Sequence, residues 1–259
     1  MASGVSTSDP DFMQSLARGL QVLEAFAELG PGQTIASLAR HTGLARGVVA
    51  RCLHTLAATG YVEQAGRQFG VRGKVLRLAE GFLADGSLPA LAQPLLEQLR
   101  DELGESCSLG VLDGAQVLYV ARASRSRIMA VGLHVGSRLP AWCTSMGRVL
   151  LAALPAAQRA ALIPATLPAH TAHTITDPAR LAAVLDEVAH SGMALVDQEL
   201  EVGLRSVAVP VRDGRGQVVA ALNMGVNALA HEPEALRQTI APRLRQAAER
   251  LGASLPSRD

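Results

Sequence analysis

A chain of 259 residues, 49% hydrophobic and 18% charged with a net charge of +1, has enough apolar residues for two ordinary domains; a disordered or strongly polyionic protein is excluded. No apolar run reaches the length of a membrane span, and residues 1–10 lack the basic start and apolar core of a signal peptide, so a cytoplasmic protein is expected. Cys52, Cys107 and Cys143 are far apart and show no metal-ligand spacing; reduced thiols are expected, with no metal and no cofactor implied.

Residues 1–14 read as a flexible leader. Residues 15–29 then place Leu16, Leu20, Leu23 and Phe26 on one side of a helix, with Arg18 near its start, and Gly30-Pro31-Gly32 ends it. Thr34 is a good N-cap for a second helix whose inner face is Ile35, Leu38 and Ala39. Gly43 supplies the left-handed stop, and Leu44 plugs the corner behind it. A third helix over residues 45–59 hides Val48 or Val49, Cys52, Leu53 and Leu56, and shows Arg46, Gly47, Arg51 and His54. Two helices joined by a short Gly-containing turn, the second with a basic outer face, form the helix-turn-helix pattern, in which the second helix enters the major groove of DNA.

An ordinary helical hairpin is the alternative. Against it, no acidic residue lies between Arg40 and Tyr61, and residues 61–71 read as a two-stranded wing turning at Ala65-Gly66-Arg67. From Thr34 to Arg77 the charged residues are Arg40, Arg46, Arg51, Arg67, Arg72, Lys74 and Arg77 against Glu63 alone, a local excess suited to phosphate.

Residues 74–84 carry Val75, Leu76, Leu78, Ala79, Phe82 and Leu83, a stripe too wide for a lone surface linker; a connecting helix packed against a partner is expected. Asp85-Gly86-Ser87 marks a boundary. Beyond it, helices are expected over residues 88–103, 146–153, 156–163, 178–191 and 232–251. Strands are expected over 106–112, 116–122, 128–133, 193–198, 204–211 and 217–226, with hairpin turns at Asp113-Gly114 and Asp213–Gly216. The fold class is α+β: a winged helix-turn-helix domain (15–73), a linker helix (74–86), and a domain with a mostly antiparallel sheet flanked by helices (87–253), followed by a tail (254–259).

Thr144-Ser145-Met146-Gly147-Arg148 opens a helix, whose free N–H groups and partial positive charge suit a carboxylate; Thr144 and Ser145 add hydroxyls, or one of them merely caps the helix. Arg205 has two readings, a partner for an acidic effector or for Glu199 or Glu201. Ser206, next on the strand, points the other way, and Asn223 brings a polar group to an apolar strand. Trp142 is placed either against a ligand ring or in the core. The rival class is an enzyme using Cys143, His134 and Asp197 as nucleophile, base and orienter, a spacing nothing else supports. His170 and His173 lack an obvious third metal ligand.

The motifs TIASLARHTGLARGVVARCLHTLAATGYV, GSRLPAWCTSMGRVLLA (136–152) and VDQELEVGLRSVAVPVRD (196–213) together resemble the IclR family of bacterial transcription regulators. The likeness runs from Ser15 to Gly252, and the two C-terminal motifs look most like the branch that controls catabolism of aromatic acids through the β-ketoadipate pathway. The resemblance implies a GAF-like effector domain and a linker helix that helps dimerise the DNA-binding domains. It implies a pocket lined by Ile128, Val131, Leu139, Ser145, Met146, Val196, Ser206, Asn223 and Gly225, with Thr144 and Arg205 beside it. Candidate DNA contacts are Arg18, Thr34, Arg46, Gly47, Arg51, His54 and Arg67. The expected partners are an operator with palindromic or repeated half-sites, a small organic acid, a second copy of the chain (a dimer or a tetramer) and, if it activates, RNA polymerase, with no membrane partner. Two alternatives stay open: a repressor answering another small metabolite, and an architectural DNA binder that ignores effectors.

Overall fold

The computed structural model describes residues 9–84, 86–125 and 132–255, without the side chains of residues 81–83. It divides into two compact units, Met1–Phe82 and Leu83–Asp259. Most of the expected leader, Asp85, the end of the tail, the side chains of Phe82 and Leu83, and the pocket candidates Ile128 and Val131 lie outside the described residues.

In the first unit, α1 (Gln14–Leu29), α2 (Ile35–Thr42) and α3 (Arg46–Ala58) are followed by β1 (Val62–Ala65) and β2 (Gln68–Val71). The start of α2 is held by a capping box. Thr34 Oγ1 accepts from Ser37 N at 3.2 Å, and Ser37 Oγ accepts from Thr34 N at 2.9 Å, which satisfies two amides the helix leaves open. Gly43 ends the helix with φ 71°, a conformation that strains any residue with a Cβ. Val22, Phe26, Leu38, Val49, Leu53, Val62 and Phe69 meet in one core, so helices and wing bury each other. Gln33 bridges to Phe69 and adds a short third rung to the wing.

The expected inner face of α1 is corrected in part. Phe26 is buried, but Leu16 and Leu20 remain 56% and 49% exposed, while Val22 and Ala25 enter the core. The helix has two apolar faces, and Leu16 and Leu20 lie on the outward one. After a 3₁₀ turn (Gly73–Val75), α4 (Leu76–Leu83) leaves Leu76 and Leu78 exposed.

The second unit runs α5 (Leu88–Leu103), β3 (Ser106–Asp113), β4 (Gln116–Ala123), β5 (Arg138–Pro140), α6 (Ser145–Ala152), α7 (Ala156–Leu162), α8 (Pro178–Ser191), β6 (Ala194–Asp197), β7 (Leu204–Arg212) and β8 (Val218–Asn227). It closes with α9 (Pro233–Ala235), a π-helical turn (Leu236–Ile240) and α10 (Ala241–Ser254). The six strands form one antiparallel sheet in the order β5-β4-β3-β8-β7-β6. One face carries Leu109, Val207, Val209, Leu222 and Met224 under α5 and α10; the other carries Tyr119, Ala208 and Ala221 under α6 and α8. Burial on both faces explains why β7 and β8 are almost continuously apolar rather than alternating.

Two expectations differ from the structure. The strand expected over 128–133 falls mainly outside the described residues, and residues 132–134 are not strand. The single helix expected over 232–251 is interrupted by the π turn, at whose two ends Leu236 and Ile240 are both buried in the core.

Candidate functional site

The first unit presents its basic residues outward. Arg46, Gly47, Arg51 and His54 of α3 are exposed. At about 100° per residue, Arg51 sits roughly 180° around the helix from the buried pair Val49 and Leu53, with Gly47 and His54 about 40° and 60° from it on one side. Arg46, at the helix start, lies off to one edge. Arg67 is exposed in the two-residue turn between β1 and β2. Thr34 is half-buried with its hydroxyl engaged in the cap. Arg18 lies on α1 and, with Arg51, borders an apolar groove formed by Met13, Leu16, Leu20, Leu23, Leu56 and Leu78.

The second unit encloses a cavity of about 60 Å³ between the sheet and the start of α6. The cavity is walled by Tyr119, Leu133, Leu139, Met146, Val196, Leu200 and Leu204, with Ser106, Ser108, Arg122, Cys143, Thr144, Ser145, Glu201, Ser206, Asn223 and Gly225. The sheet register builds its floor: Ser106 lies opposite Gly225, which lies opposite Ser206, and that residue lies opposite Val196; Ser108 lies opposite Asn223. Of the residues that the resemblance implies, Leu139, Thr144, Ser145, Met146, Val196, Ser206, Asn223 and Gly225 border this one cavity.

The two hydroxyls at the start of α6 have different fates. Thr144 Oγ1 donates to Pro140 O at 2.9 Å and accepts from Gly147 N at 3.3 Å, so it caps the helix. Ser145 Oγ is buried with no hydrogen-bond partner, and so are Asn223 Oδ1 and Glu201 Oε2. A buried polar atom left unpaired costs about 1–3 kcal/mol. Among the described residues these three are the side-chain oxygens in that state, and all three residues border this one cavity.

Arg205 is a correction. Its Nε and Nη2 bind Asp197 Oδ1 and Oδ2 at 2.9 and 3.0 Å, and Nη1 donates to Ala228 O at 3.1 Å and to His231 O. Strand register sets Arg205 directly opposite Asp197, rather than beside Glu199 or Glu201, and its guanidinium does not line the cavity. The Arg205 hydrogen bonds hold the Asp197 carboxyl below the usual carboxylate range.

Glu199 pairs instead with Arg148. Arg148 Nη2 lies 2.7 Å from Glu199 Oε2, and both side chains are buried. Arg148 Nε donates to Trp142 O at 3.0 Å, and Ile175 N donates to Glu199 Oε2 at 3.0 Å. The pair ties α6 to the loop between β6 and β7, which carries Leu200 and Glu201.

Sequence reasoning missed Arg122 as a lining residue, along with Ser106, Ser108, Tyr119 and Leu204. Arg122 Nη1 donates to Ser108 Oγ and Nε to Ser124 Oγ, both at 2.9 Å, and burial pulls its pKa down. Alternation along β3 marks Ser106 and Ser108 as sharing a face, but only the register with β8 shows that this face is the cavity's. Burial pushes the Tyr119 phenol up to about 12, so it stays neutral.

The catalytic reading of Cys143, His134 and Asp197 is not built. Burial pushes the Cys143 thiol up to about 12, Asp197 is paired with Arg205, and the His134 ring contacts Val135 O at 2.9 Å. Trp142 is buried and stacks on His170 at a centroid distance of 5.7 Å, so it serves the core rather than the cavity. No group of three potential metal ligands exists among the described residues. No helix among them is long and apolar enough to cross a membrane.

Residues 15–66 match the IclR helix-turn-helix domain, and residues 82–253 match the bacterial transcriptional regulator IclR C-terminal domain. The Pca regulon regulatory protein of Pseudomonas putida is 47% identical over 223 residues, 85% of this chain and 77% of that protein. The p-hydroxybenzoate hydroxylase transcriptional activator of Acinetobacter baylyi is 34% identical over 93% of this chain and 91% of its own. A crystal structure of an IclR homolog complexed with 4-hydroxybenzoate, from Microbacterium hydrocarbonoxydans, superposes with a TM-score of 0.78 at 26% identity, covering 93% of this chain and 98% of that one. With both halves matched and relatives aligned along most of its length, the chain belongs to the IclR family of bacterial transcriptional regulators, and is not an enzyme.

Proposed function

We propose that the C-terminal unit senses a small aromatic acid and that the N-terminal unit reads an operator controlling catabolic genes in the cytoplasm. The observation that carries the effector reading is the convergence of three unpaired buried oxygens, Ser145 Oγ, Asn223 Oδ1 and Glu201 Oε2, on one largely apolar cavity. A flat acid supplies the apolar surface, and one that carries an O–H also supplies the donor that Asn223 Oδ1 and Glu201 Oε2 lack. Relatives that act on p-hydroxybenzoate genes or are complexed with 4-hydroxybenzoate support the same class. The test is thermal unfolding with 4-hydroxybenzoate, protocatechuate, β-ketoadipate and unrelated acids. A true effector adds about 2.7 kcal/mol at a hundred times its Kd and shifts operator binding at the same concentrations. A flat response to every acid would remove the sensor reading.

The operator reading rests on the outward basic face of α3 and the exposed Arg67. One helix-turn-helix reads few base pairs, so two copies on related half-sites are expected. The groove bordered by Leu16, Leu20 and Leu78 is the apolar surface available for a second copy. Contact with RNA polymerase follows only if the protein activates. In sedimentation runs at micromolar concentration, two chains are expected per operator duplex. Arg51→Ala is expected to lower specific affinity by about 1–3 kcal/mol, whereas Arg67→Ala weakens all sequences alike and reduces the salt slope by about 1. One chain per duplex, or unchanged affinity of Arg51→Ala at every salt concentration, would contradict this arrangement.

A further inference from the structure

We infer that the cavity is a two-ended clamp for a hydroxylated monocarboxylic acid, in which Arg122 takes the carboxylate and Glu201 takes a hydroxyl at the far end. This rests on the effector reading above and adds the polarity of the site and the class of acid that fits it.

The two charged residues come from opposite walls. Arg122 is on β4, and Glu201 is in the loop that leads into β7; β3 and β8 lie between β4 and β7. At about 4.8 Å per strand this is roughly 14 Å across the sheet, and register sets Arg122 level with Ala208, a further ~13 Å along β7 from Leu204; both side chains reach the same cavity from these two corners. The ends differ in chemistry. Arg122 is aimed by two serines: Ser108 holds Nη1 and Ser124 holds Nε, each at 2.9 Å. Its Nη2 makes no hydrogen bond, and no carboxylate pairs with it, among the described residues. Arginine held in this way, in a half-buried setting, is a ready-made carboxylate anchor. Burial disfavours the bare cation, so an arriving anion relieves that penalty.

At the other end, Glu201 Oε2 is buried and lacks a donor. A carboxylate accepts hydrogen bonds and cannot donate them, so it favours a ligand O–H and repels a second carboxylate. Leu139, Met146 and Leu200 give the space apolar walls, and because its volume is about 60 Å³, less than a benzene-sized cavity of about 150 Å³, these flexible side chains must part to seat a ring. The arrangement selects for a hydroxy acid and against a dicarboxylic acid.

The experiment is calorimetric titration of the full-length protein with 4-hydroxybenzoate, its methyl ester, benzoate and terephthalate. The clamp requires the wild type to bind 4-hydroxybenzoate at least tenfold more tightly than each of the other three. Arg122→Gln should lose tenfold or more for the acid while binding the ester within about threefold of wild type, which also reports that the variant is folded. Glu201→Gln should lose most of the preference for 4-hydroxybenzoate over benzoate and over terephthalate. If the wild type binds the acid and ester equally, the anchor is overturned whether or not Arg122→Gln folds. Undiminished binding of the acid by Arg122→Gln, or tight binding of terephthalate by the wild type, overturns the clamp and leaves the effector reading standing. Wild-type protein that binds none of the acids overturns both.

Discussion

Arg148→Ala is expected to destabilise the C-terminal unit by about 3–5 kcal/mol, the cost of stranding a buried charge. The Arg148 and Glu199 side chains are 2% and 8% exposed and meet at 2.7 Å. Removing the guanidinium leaves the Glu199 carboxylate with only the Ile175 amide as a donor to Oε2 and frees the Trp142 carbonyl as well. For a unit of this size the loss corresponds to a fall in Tm of roughly 10 °C. Because Glu199 is anchored by this pair, the adjoining Leu200 and Glu201 lose their place in the cavity wall, and effector affinity should fall with stability. Replacing both partners with apolar residues, Arg148→Met with Glu199→Leu, should recover a good part of the stability, since no charge is then stranded. Denaturant unfolding of the three proteins is the measurement. A loss below about 1 kcal/mol in Arg148→Ala would mean that the pair is not buried as described.

Gly147→Ala is expected to disrupt the same region by sterics alone. A Cβ at this position would lie 2.1 Å from the carbonyl oxygen of Ala141, backbone that cannot swing aside. The first turn of α6 therefore rests directly on the preceding 3₁₀ turn (Ala141–Cys143), and this contact sets the position of Ser145 and Met146 over the sheet. Overpacking of this kind costs typically 1–3 kcal/mol, and more where backbone meets backbone. The expected result is lower thermal stability and loss of the effector response. Gly47→Ala is the contrast within the same chain. Nothing lies within 4 Å of a Cβ there, and Gly47 is in the first turn of α3, where alanine keeps only part of its helix-interior advantage of about 1 kcal/mol, so stability should hold or rise slightly. A Gly147→Ala protein that unfolds like the wild type and still binds effector would refute the close approach.

The sequence by itself determined the local elements and the family. Thr34 as a cap, Gly43 as a left-handed stop and the hairpin turn at Asp213–Gly216 are local hydrogen-bond and backbone preferences, which act within a few residues and so can be read from a few residues. The outward face of α3 was legible for the same reason: helical periodicity alone opposes Arg51 to Val49 and Leu53. Most of the cavity lining came from resemblance rather than from spacing. Tertiary structure alone decided which acid each arginine meets. Arg205 is opposite Asp197, Arg148 reaches Glu199, and Arg122 is left beside two serines, because strand register and the crossing of α6 over the sheet set those neighbours. It also decided which apolar face of α1 is buried: Val22 and Phe26 find partners on α2, α3 and the wing, while Leu16 and Leu20 find none in their own unit's core. Periodicity shows that a helix has an apolar face, but the partner surface that covers it is built by residues distant in the chain.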